Sequence, residues 1–347
     1  MGIRSLLLLA GLTVALPSLT GCTGSSSNDD TLVVYSAGPR PLIEHIVEAF
    51  EARHDVRVDL FAATTGQVMA KLEAERYRNR ADVVIFASEL AAEALKRDGR
   101  LRPYRPSGVE QTDADWHDPD GYFHATAAAL VGVAVRKDRP LGGSGSLDWP
   151  DLMRAPHAER TVMPSPSRSG ATGDFLVNFA QVQGDELWPA FIDARTDGLD
   201  FAAANSQAIG GLVTGAYDAI LGVVDYLVLR QQVRNPEVEM RYPTSGAAMV
   251  RRPIVILDEA HAPGLAEAFV DFYFSEFAQE AVAEQHLIPA REGIANSPER
   301  QAAYEGMPPI LALDRSQALA AQNRLLRQFQ LRVERAEIPR AVRSPAP

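Results

Sequence analysis

Within its first hundred residues the chain repeats one unit: a short apolar run, a small polar turn, then an amphipathic helical stretch. The runs are Leu32-Val33-Val34-Tyr35, Val56-Arg57-Val58-Asp59-Leu60-Phe61 and Asp82-Val83-Val84-Ile85-Phe86. After the first, Leu42, Ile43, Ile46, Val47 and Phe50 fall on one helical face, with Pro41 suited to the opening turn. After the second come Val68, Met69 and Leu72, and after the third an alanine-rich segment to about Lys96. Strand–turn–helix units in succession require an α/β fold, with a mostly parallel sheet and helices on its faces. The turns Ser36-Ala37-Gly38-Pro39, Thr64-Thr65-Gly66-Gln67 and Ala87-Ser88-Glu89 then lie beyond the carboxyl ends of strands, where ligands bind in open α/β sheets.

The middle of the chain carries the same grammar. Thr161-Val162-Met163-Pro164 reads as a strand and runs into Ser165-Pro166-Ser167-Arg168-Ser169-Gly170-Ala171-Thr172-Gly173, with helical periodicity at Phe175, Leu176 and Phe179. A Ser/Gly-rich turn opening a helix leaves N–H groups unpaired at a positive dipole end, and Arg168 adds full charge. That is half of an anion site; an ordinary N-cap is the other reading. Asn205-Ser206 start a helix through Ile209, Leu212 and Val213, and the buried strand Asp218–Val224 delivers Asp225 and Tyr226. Ala127–Val135 reads as a strand beside a crossing between lobes, and Val238–Tyr242 and Pro253–Leu257 as further strands. Gly264–Phe274 and Glu276–His286 read as helices. Gly142–Ser146 reads as a surface loop, the segment from Asp314 through Phe329 as a helix lying across the surface, and Arg343–Pro347 as a disordered tail.

A length of 347 residues, 46% hydrophobic and 23% charged, suits two globular domains. The net charge of −11 argues against nucleic acid or an anionic membrane surface as main partner, but leaves an anionic ligand open. Arg4 precedes the apolar run Leu6–Leu16, too short for a membrane span. Leu19-Thr20-Gly21-Cys22 then resembles the lipobox of bacterial lipoproteins. Cys22, the sole cysteine, is the expected lipidation site, and Gly24–Asp30 a flexible tether. A plain secretory signal with a chance cysteine is the alternative. No G-x-S-x-G elbow, Walker loop or H-E-x-x-H is present, and the seven histidines are scattered without metal-ligand spacing, so an enzyme is not expected.

Several stretches together resemble periplasmic solute-binding proteins of ATP-driven (ABC) importers, in the branch of ferric-iron, organophosphonate and sugar-phosphate binders. They are Leu32-Val33-Val34-Tyr35-Ser36, Ala81-Asp82-Val83-Val84-Ile85, Pro164–Gly170, Gly222-Val223-Val224-Asp225-Tyr226, Tyr242-Pro243, Ala266–Phe272 and Leu287-Ile288-Pro289. The resemblance covers roughly residues 31–295. It implies a two-lobed, type II-like binding-protein fold with the ligand cleft between lobes joined by crossing strands. The divisions expected are 1–22 signal peptide, 23–30 tether, 31–126 first lobe, 127–250 second lobe, 251–313 return to the first lobe, and 314–347 C-terminal helix and tail.

Carried over by position, Ser169-Gly170-Ala171 resembles the helix start that holds an anion in ferric-iron binders, and Asn205 matches an asparagine that contacts that anion. Where many members have two adjacent tyrosines for metal, this chain has Asp225-Tyr226, so ferric iron on Asp225 and Tyr226 with a synergistic anion is the alternative. The turns at Thr65-Gly66 and Ser88 are similar to those of molybdate binders. The expectation is a small anionic solute, held by Ser36, Gly38, Thr65, Gly66 and Ser88 from one lobe and Ser167, Ser169, Gly170, Ala171 and Asn205 from the other. Arg40 and Arg168 are candidates for neutralising its charge. Asp225 would repel a bare dianion and suits an amine or hydroxyl, whereas Tyr226 can donate or stack. No cofactor is expected. The partners implied for this monomer are a membrane permease, the membrane through Cys22, or alternatively a sensor kinase.

Overall fold

The computed structural model describes residues 31–139, 147–304, 310–311 and 313–336. Cys22, the tether, the 142–146 loop and the 343–347 tail lie outside the described residues. The strands are β1 (Thr31–Ser36), β2 (Arg57–Ala62), β3 (Val83–Ile85), β4 (Leu101–Arg102), β5 (His124–Arg136), β6 (Thr161–Pro164), β7 (Asp200–Ala202), β8 (Ala219–Val224), β9 (Val238–Arg241), β10 (Ala248–Leu257) and β11 (Ile288–Pro289). The helices are α1 (Arg40–His54), α2 (Thr65–Ala74), α3 (Glu89–Arg97), α4 (Trp149–Leu152), α5 (Gly170–Gln183), α6 (Leu187–Thr196), α7 (Asn205–Val213), α8 (Asp225–Arg234), α9 (Pro263–Tyr273), α10 (Glu276–Glu284), α11 (Pro298–Tyr304) and α12 (Arg315–Phe329).

One sheet runs through both lobes in the order β2-β1-β3-β10-β5-β8-β6-β7. The first lobe centres on the parallel trio β2-β1-β3 with α1, α2 and α3; the second on β8-β6-β7, also parallel, with α5, α7 and α8. The long antiparallel pair β5 and β10 joins them, from Ala248 opposite Val131 to Ile254 opposite His124. Helices begin where the sequence supplies a cap: Thr64 makes a reciprocal capping box with Gln67, Ser88 accepts from the Ala91 N–H, and Ser169 from the Thr172 N–H.

Two irregularities shape the crossing. Between β5 and β8 the register skips Gly222, whose φ of 75° suits glycine and whose missing Cβ leaves room for the Phe175 ring. Between β5 and β10 the register shifts at Arg252/Pro253. The strand expected to start at Pro253 in fact starts at Ala248, because proline without an N–H is accommodated at that shift.

The C-terminal helix α12 lies across the surface with one face packed on α3 and α5, while the π-type turn Gln330–Glu334 that follows it packs on α6. Phe329 and Val333 are fully buried, with Phe329 against the rings of Phe191 (4.8 Å) and Phe201 (5.9 Å). Arg315 pairs with Glu89 of the first lobe at 2.9 Å, and Glu334 receives hydrogen bonds from the Ser165 and Ser167 hydroxyls of the second, each 2.8 Å. The segment therefore straps the two lobes together.

Candidate functional site: a cleft at the strand carboxyl ends

A cavity of about 320 Å³ lies between the lobes. Its wall is built from the turns that follow parallel strands: Ala37 to Pro41 after β1, Ala63 to Thr65 after β2, Ala87 after β3, Ser169 to Ala171 after β6, Ala204 to Ser206 after β7, and Val224, Tyr226, Leu227 and Arg230 after β8, with Arg252 from β10. The first turns of α1, α2, α5, α7 and α8 thus all reach this space. Each helix start carries partial positive charge on N–H groups that have no intrahelical acceptor. Among the described residues no Asp or Glu lines the wall, while Arg40, Arg230 and Arg252 do. In a chain of net charge −11 this is a locally electropositive pocket.

The hydrogen bonds aim the polar groups. Ser169 Oγ accepts from the Thr172 N–H (3.3 Å), the Thr172 hydroxyl (2.9 Å) and Asn205 Nδ2 (2.9 Å), and as acceptor in all three keeps its own proton to donate. Asn205 Oδ1 accepts from the Val224 N–H at 3.1 Å, so this side chain ties the starts of α5, α7 and α8 into one unit. Thr65 Oγ1 accepts from the Ala87 N–H at 3.2 Å, likewise leaving its proton. The lobes touch here: the Gly66 N–H donates to the Arg168 carbonyl (3.2 Å), and a Cβ on Gly170 would stand 2.8 Å from Thr65 Cβ and 2.9 Å from the Ala87 carbonyl oxygen.

Of the residues expected from the sequence, Gly38, Arg40, Thr65, Ser169, Gly170, Ala171, Asn205 and Tyr226 stand in the wall. The others stand elsewhere, for identifiable reasons. Ser36 is fully buried beneath the wall and its hydroxyl accepts from the Gly38 N–H. Gly66 uses its N–H on the opposite lobe. The Ser88 hydroxyl donates to Asp174 Oδ1 at 2.6 Å, and Asp174 Oδ2 accepts from the Glu89 N–H, so a carboxylate of the second lobe caps α3 of the first. Burial pushes the Asp174 carboxyl up to about 7. The Ser167 hydroxyl goes to Glu334, and Arg168 is exposed, contributing its carbonyl rather than its charge. Arg40, although in the wall, has a largely exposed side chain that pairs with Glu44 at 2.9 Å.

Asp225 needs the largest correction. It is fully buried and paired with the equally buried Arg300, one carboxylate oxygen 2.8 Å from each terminal guanidinium nitrogen. The Tyr242 hydroxyl donates to Oδ2 at 3.1 Å, and the Tyr226 N–H to Oδ1 at 2.7 Å. Its charge is balanced inside the lobe, so it neither repels an anion in the cleft nor faces a metal there. Among the described residues no group of three or more His, Cys, Asp or Glu is placed to hold a metal ion.

Arg252 and Arg230 were not expected from the sequence. Arg252 was hidden by the reading of Pro253 as a strand start, which left the preceding arginines outside any expected strand. The apolar stretch Ala247–Val250 just before the two arginines was the available signal that the strand begins earlier.

The comparisons agree with this geometry. A family model described as bacterial extracellular solute-binding protein matches residues 31–287. The probable ABC transporter periplasmic-binding protein y4fP of Sinorhizobium fredii is 25% identical over 280 residues, covering 78% of this chain and 77% of that protein. Among solved structures, the periplasmic binding protein AfuA of Actinobacillus pleuropneumoniae with exogenous fructose-6-phosphate bound superposes with a TM-score of 0.78 at 21% identity, over 88% of this chain and 99% of that one. Iron-bound HitA of Pseudomonas aeruginosa gives 0.72 at 20% identity, over 85% and 99%. At such identities the structures speak for the fold, whereas the family model spans most of the sequence, and on that match the chain belongs to the bacterial extracellular solute-binding proteins.

Proposed function

We propose that this chain is the extracytoplasmic solute-binding component of an ABC importer, capturing a small anionic solute by closure of its lobes and delivering it to a membrane permease. The observation that carries the reading is the cleft wall: five helix N-termini, three arginines and, among the described residues, no carboxylate around one cavity. Phosphate esters, phosphonates and inorganic oxyanions offer the acceptor oxygens such a wall can bind, each charge-assisted hydrogen bond contributing about 1.5–3 kcal/mol. AfuA, a similar fold, was solved with a sugar phosphate, which supports this class. The iron-bound relative does not shift the reading, because ferric iron needs several converging anionic oxygens and Asp225 is held by Arg300. Lipid on Cys22 would keep the protein at the membrane, and the crossing strands β5 and β10 support lobe divisions near residues 126 and 250.

Thermal-shift titration of metal-free protein tests this. Phosphate, a phosphonate, fructose 6-phosphate or molybdate should raise the melting temperature; a ligand at a hundred times its Kd adds about 2.7 kcal/mol. Stabilisation by ferric iron alone, with a red tyrosinate band that Tyr226→Phe removes, would overturn it.

A further inference from the structure

We infer that Arg252 is the charge-recognition residue of the cleft and selects a doubly charged oxyanion head group, a phosphate monoester or phosphonate, over singly charged and neutral solutes. The inference rests on the reading that this cleft takes a small anion. Arg252 belongs to β10, a strand that crosses between the lobes, and its side chain enters the cavity wall although the residue is only 3% exposed. One guanidinium nitrogen donates to the Ala37 carbonyl at 2.7 Å, in the turn after β1. The guanidinium carbon lies 5.7 Å from the ring centre of Tyr226, at the start of α8. The cation is thus fixed by the first lobe on one side and the second lobe on the other.

No carboxylate among the described residues lies within ion-pair distance of Arg252. The buried carboxylates of the region are engaged elsewhere: Glu89 by Arg251 (3.4 Å) and Arg315 (2.9 Å), Asp225 by Arg300 (2.8 Å), and Asp174 by the Ser88 hydroxyl and the Glu89 N–H. A buried guanidinium without a counter-charge is costly, and a dianion in the cavity would remove that cost more completely than a monoanion. Arginine carries five N–H donors in a planar fork that matches two oxygens of a phosphate; the Ala37 carbonyl takes one. Half-buried Arg230 in the same wall adds a second positive charge. Arg40 adds little, since its side chain is 64% exposed and already paired with Glu44.

Calorimetry on the full-length chain freed of its signal segment separates the possibilities, with fructose 6-phosphate, fructose 6-sulfate, fructose and inorganic phosphate as probes. The phosphate and sulfate esters share a shape and differ by one charge. Wild type should prefer the phosphate ester at least tenfold at pH 8. That preference should shrink towards pH 5, as the phosphate loses its second charge near pH 6, while sulfate binding stays flat. Arg252→Met should bring the two esters within about twofold of each other, and Arg252→Lys should keep part of the preference. A merely structural role would weaken both esters alike and leave their ratio unchanged. Equal wild-type affinities, or an unchanged ratio in Arg252→Met, would overturn the inference while the anion reading stands. Binding of neither ester nor phosphate would overturn the anion reading itself. Should Arg252→Met not fold, the wild-type pH profile and Arg252→Lys still decide.

Discussion

Gly170→Ala places one methyl group between the lobes and should uncouple ligand capture from folding. The new Cβ would lie 2.8 Å from Thr65 Cβ and 2.9 Å from the Ala87 carbonyl oxygen. Both neighbours are held, one at the first turn of α2 and one in the backbone after β3, so neither can swing aside. Carbon contacts are comfortable from about 3.5 Å, which asks the lobes to part by roughly 0.7 Å at Thr65 Cβ, with Thr65 Oγ1 closer still at 2.5 Å. That displacement would stretch the 3.2 Å hydrogen bond from the Gly66 N–H to the Arg168 carbonyl beyond useful length. Overpacking costs about 1–3 kcal/mol and the lost bond about 1 kcal/mol. The closed form should therefore be destabilised by roughly 2–4 kcal/mol, weakening the ligand by about 30- to 700-fold.

Because both contacts cross the lobe boundary, the ligand-free protein should melt at the wild-type temperature. Calorimetry with the ligand found by thermal shift reads the first effect, and small-angle scattering should show the variant remaining expanded at ligand concentrations that compact the wild type. Gly66→Ala, whose Cβ would be 3.1–3.2 Å from Ser167 and Arg168, should lose no more than about tenfold, taking 1.4 kcal/mol per decade. Gly210→Ala, with nothing within 4 Å, should bind normally. Wild-type affinity in Gly170→Ala would refute the closure argument. A collapse of its melting temperature would show that the clash is relieved inside a lobe.

Three further outcomes follow from packing and charge. Arg300→Met leaves the fully buried Asp225 carboxylate without its cation and should cost about 3–5 kcal/mol in urea unfolding, whereas a metal-ligand role for Asp225 would predict little change in metal-free protein. Phe329→Ala empties the strap's buried contact with Phe191 and Phe201 and should cost about 3–5 kcal/mol; a change below 1 kcal/mol would mean that the strap is peripheral. Burial holds the His117 ring down to about 4, with the neighbouring His124 adding to the shift. The neutral ring's contribution is thus complete above the ordinary value of 6.5 and is lost as pH falls from there towards 4. The stability difference between wild type and His117→Gln should shrink over that window in thermal melts. Asp174, raised to about 7, works in the opposite sense, so the difference between the two proteins is the readout; a pH-independent difference would contradict it.

The sheet was legible because its strands are short apolar runs alternating with helices of period 3.6, a pattern carried within ten or fifteen residues. What escaped depends on contacts between distant segments. Asp225 reads as a charged group delivered to the cleft by β8, and nothing nearby in sequence announces Arg300, 75 residues later. The strap's helical period was visible in Leu319, Leu325, Leu326 and Phe329, but its burial against α6 was not. Arg252 was concealed by a local rule applied correctly: proline seldom continues a central strand, and here it does so only at a register shift with β5.

The hydroxyls make the same point about function. Ser36, Ser88, Ser167 and Ser169 each stand beside a strand end or helix start, and their residue type is compatible with binding a ligand or capping a turn. Which role each takes is decided by whether another group of the protein reaches it first. Ser88 donates to Asp174 and Ser167 to Glu334, and Ser36 is fully buried beneath the wall, whereas Ser169 stands in the wall, only accepts, and so keeps a proton for the cleft. A hydroxyl already donating to a carboxylate of the opposite lobe or the strap contributes to holding the lobes together, so Ser88→Ala and Ser167→Ala should disturb lobe closure and stability. Ser169→Ala should instead act on the ligand and on the Asn205 link between α5 and α7. Scattering and calorimetry on the three variants would separate these roles, and equal loss of affinity with unchanged stability in all of them would return Ser88 and Ser167 to the cleft.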